Sequence, residues 1–466
     1  MATQKAVELN APVALHWFRS DLRLADNPAL LAASRSASHV IPVFIWSPEE
    51  EGQWPPGSAA RWWLHESLQQ LQQALAARGS RLLLRRGPTV PALLELAQQT
   101  GATLVCWNNR YEPAARKVEA QLGTVLRAAG VMGLGFASGL LAEPGTVHSR
   151  TDAPYQVFTP FWRAFLDQVQ VDAPQPSPRA LPAPRRWPMS LALRQLALLP
   201  EIAWHQCLAR HWQPGETAAR AVLRKFVTQR LDAYELLRDR PDLDNTSQLS
   251  PYLHHGELSP RQVWTAVGKA SERAGQSPTQ WRRSKFCSEL IWREFAAQQL
   301  FHHPALPDRS RLAQFDRLAW RNDARDFAAW SRGRTGFPIV DAGMRQLWQC
   351  GWMHNRVRMI TASFLVKNLL HRWQDGERWF WDTLVDADLA SNALNWQWVA
   401  GSSPDAAPWF RIFNPLSQGQ RFDPEGAYQQ RFVPEAGTAV YTAPIVDLGR
   451  SRQRALDAYK ALRESK

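Results

Sequence analysis

A proline-rich stretch divides this 466-residue sequence into two parts with different patterns. Six prolines fall between residues 172 and 188, and proline lacks an amide hydrogen and interrupts helices. The stretch therefore predicts an ordered or extended linker rather than a helix. We place the linker at residues 141–203, between a first domain over 11–140 and a second domain over 204–466.

The first domain alternates short apolar runs with helical periodicity. Four runs predict buried strands, at Val13–Phe18, Val40–Trp46, Arg81–Arg85 and Thr103–Trp107. Helical patterns lie between them, at Ala59–Arg78 and Pro91–Gln99. This alternation predicts an α/β domain built on a parallel sheet. The glycines at 133, 135 and 139 are spaced one residue too widely for a dinucleotide fingerprint, which argues against NAD binding.

The second domain shows long helical periodicities and no convincing strand, so we expect it to be all-α. The chain carries 55 basic and 42 acidic residues, a net charge of +13, which favours a polyanionic partner. An arginine-rich composition without nucleic-acid binding would give the same balance. The four cysteines are scattered, which disfavours a disulfide framework, structural zinc or an iron–sulfur cluster, and we expect no metal.

The sequence also suggests where the protein works. No apolar run approaches the ~18 residues that a membrane helix needs, and residues 1–10 contain no apolar stretch of the secretory kind. We therefore expect a cytoplasmic protein that does not contact a membrane. Tryptophan is unusually frequent, with 23 residues, and suggests a stacking surface or a redox path in addition to packing.

Two clusters in the second domain have the composition of a ligand site. The hydroxyl and amide groups of Thr246–Ser250 suit a phosphate, although ordinary helix capping uses the same residues. Glu289, Trp292 and Arg293 share one helix face and could hold a nucleobase. The alternative for this second cluster is a surface ion pair between Glu289 and Arg293.

Two further clusters follow later in the chain. In Gly351–Met359, polar residues lie beside an apolar stripe and could line a cavity, unless the helix is simply half-buried. Asp388, Asn392 and Trp396 step by four along one helix face. An acidic helix start is ordinary dipole compensation, but the aligned amide and indole would suit a planar heterocycle.

Together, and in this order, the clusters resemble the photolyase/cryptochrome family. The segments that carry the resemblance are Trp17–Leu30, Thr246–Ser250, Leu258–Arg261, Glu289–Phe295, Thr335–Arg345, Gly351–Met359, Asp386–Trp398 and Trp409–Pro415. The resemblance implies a photolyase-like fold, with an α/β parallel-sheet domain followed by an all-α domain that binds FAD.

The resemblance also implies roles for individual residues. The implied FAD contacts are Tyr234, Thr246, Ser247, Gln248, Leu249, Ser250, Asn355, Arg358, Asp386, Asp388 and Asn392, with Asn392 facing flavin N5. The implied lesion pocket consists of Glu289, Trp292, Asn355, Met359 and Trp398, with Arg356 and Arg411 as candidate phosphate contacts. An electron-transfer chain would run from the flavin to the surface through Trp396, Trp373 and Trp320.

Single positions resemble particular branches of the family. Glu289, Asn355 and Met359 resemble the type that repairs cyclobutane pyrimidine dimers (CPDs) rather than the (6-4) type, and Asn392 resembles photolyases rather than cryptochromes. We therefore expect a likeness to class I CPD photolyases. The implied function is light-driven electron transfer from reduced FAD to a dimer in DNA, by a monomer. Two alternatives stay open: a cryptochrome photoreceptor without repair activity, and a single-stranded nucleic-acid binding module.

A second, light-harvesting chromophore is also possible. Glu112 resembles the acid that contacts folate in some members of the family. Pro307 and Asp308, however, stand where the folate-binding members carry Cys-Lys. Folate, deazaflavin, flavin or no antenna chromophore remain alternatives.

Overall fold

The first domain is built on a parallel sheet, as predicted. The structure is a computed structural model that describes residues 11–149 and 151–464. The sheet has the order β3-β2-β1-β4-β5. Its strands are β1 Ala11–Phe18, β2 Ala37–Trp46, β3 Leu83–Arg86, β4 Leu104–Asn108 and β5 Met132–Phe136. Its connecting helices are α1 Pro28–Ser36, α2 Ser58–Ala76, α3 Thr89–Thr100 and α4 Pro113–Ala128.

The fifth strand has no clear signal in the sequence, because glycine is depleted in strands. Gly133 and Gly135, which fail as a dinucleotide fingerprint, lie in β5 beside β4. A Cβ atom on Gly133 would come within 3.1 Å of the Trp107 ring, and one on Gly135 within 2.2 Å of the Asn109 side chain. These glycines therefore let the edge strand pack closely against Trp107, in β4, and Asn109, just after β4.

The linker contributes to the cores of both domains. Within residues 141–203 lies α5, Phe158–Gln168, whose buried phenylalanines pack into the core of the helical part. Further along, Leu181, Leu196 and Leu198 are buried against the sheet. The segment is thus ordered by its own apolar residues, and the boundaries at 140 and 203 stay predictions.

The second domain is helical, and among the described residues no helix is long and apolar enough to cross a membrane. Its helices are α6 Gln206–Ala209, α7 Glu216–Gln229, α8 Tyr234–Leu237, α9 Ser250–His254, α10 Pro260–Arg273, α11 Pro278–Arg282, α12 Lys285–His302, α13 Ala324–Ser331, α14 Pro338–Cys350, α15 Asn355–Ser363, α16 Trp373–Thr383, α17 Leu389–Ala400, α18 Pro415–Phe422, α19 Ala427–Phe432 and α20 Leu448–Glu464. A π-helical turn, Phe364–Asn368, follows α15 directly.

Buried polar contacts join the two domains. Arg23, 1% exposed, donates from Nη1 to the carbonyl oxygen of Gly256 at 2.8 Å. The neighbouring Glu257 accepts a hydrogen bond from Trp63 Nε1 on α2 at 3.0 Å. Gly256 has a φ of +68°, and a Cβ there would lie 2.0 Å from the Ser20 carbonyl oxygen. The loop between α9 and α10 therefore contacts the α/β domain so closely that only glycine fits at this position.

A glycine also sets the packing of α16 against α17. A Cβ on Gly376 would lie 2.2 Å from Trp396 Cη2, so we expect Gly376→Ala to destabilise the protein by ~1–3 kcal/mol through overpacking. The matched control is Gly123→Ala in α4, where nothing lies within 4 Å of the new Cβ. There we expect a gain of about 0.5–1 kcal/mol from helix propensity. Urea unfolding measures both free energies, and equal effects of the two substitutions would contradict the assigned contact.

Candidate functional site

A cavity of about 520 Å³ lies between α12, α15, α17 and the loop before α9. Its size is typical of a site for a small molecule or cofactor. The predicted site residues that line it are Tyr234, Ser247, Leu249, Ser250, Glu289, Trp292, Asn355, Arg356, Arg358, Met359, Asp386, Asp388, Asn392, Trp396 and Trp398. The fold thus brings all four sequence clusters to one cavity.

Five predicted residues do not line this cavity. The carbonyl oxygen of Thr246 accepts from Arg230 Nη1 at 3.1 Å, so its backbone is directed to α7. Gln248 donates to Asp244 Oδ1 at 3.2 Å and has a φ of +54°, which makes it the turn of the loop. Arg411 is exposed elsewhere on the surface. Of the other two, Trp373 is buried in the core of the helical part, and Trp320 is partly exposed and packs against that core.

A partly buried ion pair forms one wall of the cavity. Arg358 Nη2 lies 2.9 Å and 3.1 Å from the two carboxylate oxygens of Asp386, whose side chain is 2% exposed. Arg358 Nε also donates to the Met353 carbonyl at 2.7 Å, and Ser250 Oγ donates to Asp386 Oδ2 at 2.6 Å. A pair fixed on both sides offers a rigid set of charged groups to a planar ligand.

Asn392 lies at the base of the cavity on α17. Asp388 caps this helix by accepting from the Ser391 amide at 2.8 Å, which fixes the position of the first turn. Asn392 Nδ2 donates to the Glu377 carbonyl on α16 at 3.0 Å, so the amide oxygen remains to accept a bond from a ligand N–H. An amide in this place does not supply a proton as a carboxylic acid would.

Glu377 is a buried acid that the sequence reasoning missed. It is 0% exposed, and neither carboxyl oxygen has a hydrogen-bond partner within the described part of the chain. Burial, and then repulsion from Asp308, raise its pKa well above the ordinary value. A glutamate on an amphipathic helix normally indicates a solvated face, so no local pattern indicates this burial.

Glu289 is flanked by two cations. Arg238 Nη1 lies 2.6 Å and Lys285 Nζ 2.8 Å from Glu289 Oε1. The alternative pair with Arg293 does not form, because Arg293 Nη1 donates to the Gly139 carbonyl at 2.7 Å. Arg238 and Lys285 also line the cavity, although the sequence analysis did not single them out. The mouth of the site therefore combines one carboxylate with two basic groups.

The aromatic side of the site depends on the linker. Trp292 stacks on Phe158 of α5, with ring centres 3.8 Å apart and planes 10° from parallel. This contact fixes one ring of the predicted lesion pocket from outside the helical domain. Arg356 is also held, since its Nη2 donates to Asp239 Oδ2 at 2.6 Å. A phosphate contact by Arg356 stays a prediction and would require it to leave Asp239.

Of the three predicted electron-transfer tryptophans, one lines the cavity and one is partly exposed. Trp396, 2% exposed, lines the cavity and packs on Gly376, one helical turn from Trp373. Trp373 is 1% exposed, whereas Trp320 is partly exposed. The first two members are therefore buried, and the third is the one that reaches the surface.

A second cavity of about 300 Å³ lies between the two domains. Its lining includes Glu112, Pro307 and Asp308, the three positions considered above for an antenna chromophore. Four tryptophans also line it: Trp17, Trp46, Trp54 and Trp381. Burial alone would raise the pKa of Glu112, but its ion pair with Arg110, at 3.3 Å, lowers it. His254 and Ala387 line both cavities, so the two spaces adjoin there.

Comparisons with known proteins agree with this geometry. Residues 14–182 match the family model described as DNA photolyase, and residues 286–439 match the FAD binding domain of DNA photolyase. A deoxyribodipyrimidine photo-lyase of Agrobacterium fabrum is 46% identical over 98% of this chain and 99% of its own length. Cryptochrome-2 of Arabidopsis thaliana is 37% identical over 96% of this chain and 79% of its own length.

Solved structures extend the likeness to the whole fold. A bacterial class III photolyase from Agrobacterium tumefaciens superposes with a TM-score of 0.93 at 45% identity, covering 99% of this chain and 100% of that one. An archaeal photolyase from Sulfolobus tokodaii, described with two FAD molecules, gives a TM-score of 0.81 at 28% identity, over 96% and 100%. The chain belongs to the photolyase/cryptochrome family, and its helical half is an FAD-binding domain. The narrower expectation of a class I photolyase is not confirmed, because the structural neighbour from Agrobacterium tumefaciens is a class III photolyase.

The buried acid Glu377 should affect stability as a function of pH. Because its folded pKa is raised, the unfolded chain binds fewer protons than the folded one once the pH exceeds the ordinary value of 4.5. Stability is therefore lost as the pH rises from there toward the raised folded pKa. We expect Glu377→Gln to flatten this loss in unfolding measurements between about pH 5 and pH 8. The exposed control, Glu425→Gln, should keep the parent's slope, and a parental slope in Glu377→Gln would contradict the assignment.

Proposed function

We propose that this protein repairs cyclobutane pyrimidine dimers in DNA in a light-dependent reaction that uses FAD, as a deoxyribodipyrimidine photo-lyase. The observation that supports this most directly is the single cavity shared by two sets of residues. Arg358, Asp386 and Asn392 form the set that suits a flavin ring. Glu289 and Trp292 belong to the set that suits a dimer, and they line the same space.

The residues of the cavity fit FAD. The Arg358–Asp386 pair would hold the polar edge of the flavin, and Asn392 would accept from an N–H of the ring. Ser247 and Ser250 offer hydroxyl groups for the phosphates. Reduced FAD, when bound, supplies the electron that splits the cyclobutane ring after light absorption. The protein's own part is to bind both partners, orient them and exclude water.

The mouth of the cavity has the chemistry to hold a dimer that has left the helix stack. Photolyases are among the enzymes that take their target base out of the duplex. Trp292 and Trp398 would pack against the dimer, with Met359 filling the remaining apolar surface. Glu289 would hydrogen-bond the polar edge of the dimer, while Arg238 and Lys285 keep this carboxylate in place and add positive charge.

A cryptochrome photoreceptor is the second candidate, because curated cryptochromes are 37–38% identical over 90% or more of this chain. The same flavin site and tryptophan chain would serve signalling. Asn392 and the Glu289 pocket favour repair, because a receptor that does not repair has no need for a group that binds the dimer. The decisive experiment measures the loss of thymine dimers from irradiated DNA, in light and in darkness. No repair by the FAD-loaded protein in light would favour the receptor.

We infer that the cavity between the domains holds a second chromophore. The observation that supports this is its lining, in which four tryptophans surround a space that the polar side chain of Glu112 also reaches. Aromatic walls with one convergent carboxylate are typical of sites for planar ligands. Absorption spectra and mass spectrometry of the chromophores released from purified protein would identify the occupant. Release of FAD alone, at one molecule per protein molecule, would contradict the inference.

The role of Glu289 can be tested directly. A hydrogen bond that involves a charged group contributes ~1.5–3 kcal/mol, and one that strengthens as the dimer gains an electron also raises the splitting yield. We expect Glu289→Ala to lower the quantum yield of repair at saturating substrate while FAD content stays unchanged. The control, Glu425→Ala, removes an exposed glutamate that does not line the cavity and should keep the parental yield. Equal yields in Glu289→Ala and the parent would remove Glu289 from the reaction.

The tryptophan chain gives a separate prediction. Phenylalanine is harder to oxidise than tryptophan, so Trp396→Phe should block photoreduction of oxidised FAD. Repair by enzyme reduced beforehand should continue, because that electron does not pass through Trp396. Trp264→Phe, a buried substitution in the other core, is the control. Absorption spectroscopy measures the rate of photoreduction. A parental rate in Trp396→Phe would count against the assigned chain.

A further inference from the structure

Arginines are concentrated around β3, at one edge of the sheet of the α/β domain. Two segments, 78–94 and 173–200, contain eight basic residues, all of them arginine, and no acidic residue. We call these eight residues the arginine surface: Arg78, Arg81, Arg85, Arg86, Arg179, Arg185, Arg186 and Arg194. The net charge of the whole chain is +13, so much of the positive excess comes from two short segments.

Backbone contacts bring the two segments together. The Leu191 amide donates to the Leu84 carbonyl in β3 at 3.0 Å, and the Leu84 amide donates to Ser190 Oγ at 2.9 Å. The Val40 amide at the neighbouring strand donates to the Pro182 carbonyl at 2.8 Å. The linker thus covers the edge of the sheet, and its four arginines join the four of the first segment.

The arginine surface is held in place before any partner binds. Trp187 packs against the core of the sheet, and the Arg81 guanidinium lies over its ring, 4.8 Å from the centre. Arg85 donates to the Met189 carbonyl, which ties the linker to β3 once more. The prolines of the linker restrict its backbone further. A partner would therefore lose little affinity to the ordering of this segment.

Most of these arginines have free guanidinium groups. Five are exposed and form no side-chain hydrogen bond or ion pair with the part of the chain that the structure describes: Arg86, Arg179, Arg185, Arg186 and Arg194. Other exposed arginines are paired, such as Arg220 with Glu216 at 2.6 Å and Arg372 with Asp375 at 3.1 Å. A guanidinium offers five donors in a planar fork that matches the oxygens of a phosphate. Unpaired arginines at a fixed edge therefore suit a chain of phosphates.

We propose that the arginine surface is a second DNA-binding site, which holds the phosphate backbone of undamaged double-stranded DNA. The first residue that lines the flavin cavity is Tyr234, so the two sites belong to different domains. Phosphate contacts carry no sequence information, and the surface would bind duplex DNA whether or not it contains a dimer. The proposal goes beyond the proposed function and does not depend on it.

An anionic membrane is the other polyanion that a basic surface could meet, and the surface suits it less well. A segment that lies on a membrane adds a broad apolar face to its basic residues. In the two segments, which the structure describes in full, the exposed large apolar side chains are Met189 and Leu199. A surface of arginines without an apolar face instead favours DNA, along which a protein held by phosphate contacts can slide and hop.

The test measures, in darkness, the binding of a labelled undamaged duplex to the FAD-loaded protein. The cavity is first saturated with a short single strand that contains a thymine dimer. We expect the parent to bind the duplex, and the variant Arg185→Ala/Arg186→Ala/Arg194→Ala to bind it more than about tenfold more weakly at low salt. The slope of log affinity against log salt should become shallower by about 0.9 for each arginine that contacts a phosphate.

A matched control removes the same charge from other exposed arginines. Arg220→Ala/Arg321→Ala/Arg372→Ala replaces three residues that are each paired with a carboxylate, and it should bind the duplex like the parent. Both triple variants should keep the parental FAD content and the parental yield of any dimer splitting, because neither set lines the flavin cavity.

Each outcome decides the proposal. A parent that binds no duplex once its cavity is filled, or equal duplex binding by the two triple variants, would overturn the second site. Vesicles of anionic phospholipid are a further probe, and arginine-dependent binding to them without a change in duplex binding would assign the surface to a membrane instead. The comparison of the two variants holds whether or not the dimer strand binds. A failure of the proposed function appears separately, as absence of dimer repair in light.

Discussion

The contact between α16 and α17 is the packing on which the site depends. Gly376 has no side chain, so the Trp396 ring rests directly on the α16 backbone. The same approach lets Asn392 donate to the Glu377 carbonyl, which sets the orientation of the amide at the base of the cavity. Because Trp373 begins α16, one helix pair positions both the amide predicted to face the flavin and the first two members of the predicted tryptophan chain.

The charges of the site are arranged in two different ways. At the flavin end, Arg358 and Asp386 neutralise each other and are held by further hydrogen bonds, as a buried pair requires. At the mouth, Glu289 meets two cations, and the balance is positive where a phosphate backbone would approach. The interior pair is thus neutral, whereas Glu289 and its two cations leave a net positive charge at the mouth.

The sequence predicted those parts of the molecule that depend on local patterns. Apolar runs identified four of the five strands to within three residues, because buried parallel strands are continuously apolar. The edge strand β5 escaped because Gly133 and Gly135 pack against side chains from β4, a tertiary reason without a local signal. The motifs, taken in their order along the sequence, identified most of the residues that line the cavity. Arg238 and Lys285 could not be found, since each is one basic residue among 55 and only the fold places it beside Glu289.

The two domains do not act as separate units around the site. Phe158, from the linker, fixes the Trp292 ring, and the loop after α9 contacts the α/β domain through Gly256. His254, which lies just before that loop, forms part of the wall between the two cavities, and burial lowers its pKa. A neutral imidazole is then the only ionisable side chain common to both walls, since Ala387 is the other shared residue. A chromophore in the interdomain cavity would therefore lie close to His254, a side chain that also lines the flavin site. This proximity depends on the domain contact at Gly256, so the same interface that stabilises the fold also determines how closely the two cavities approach.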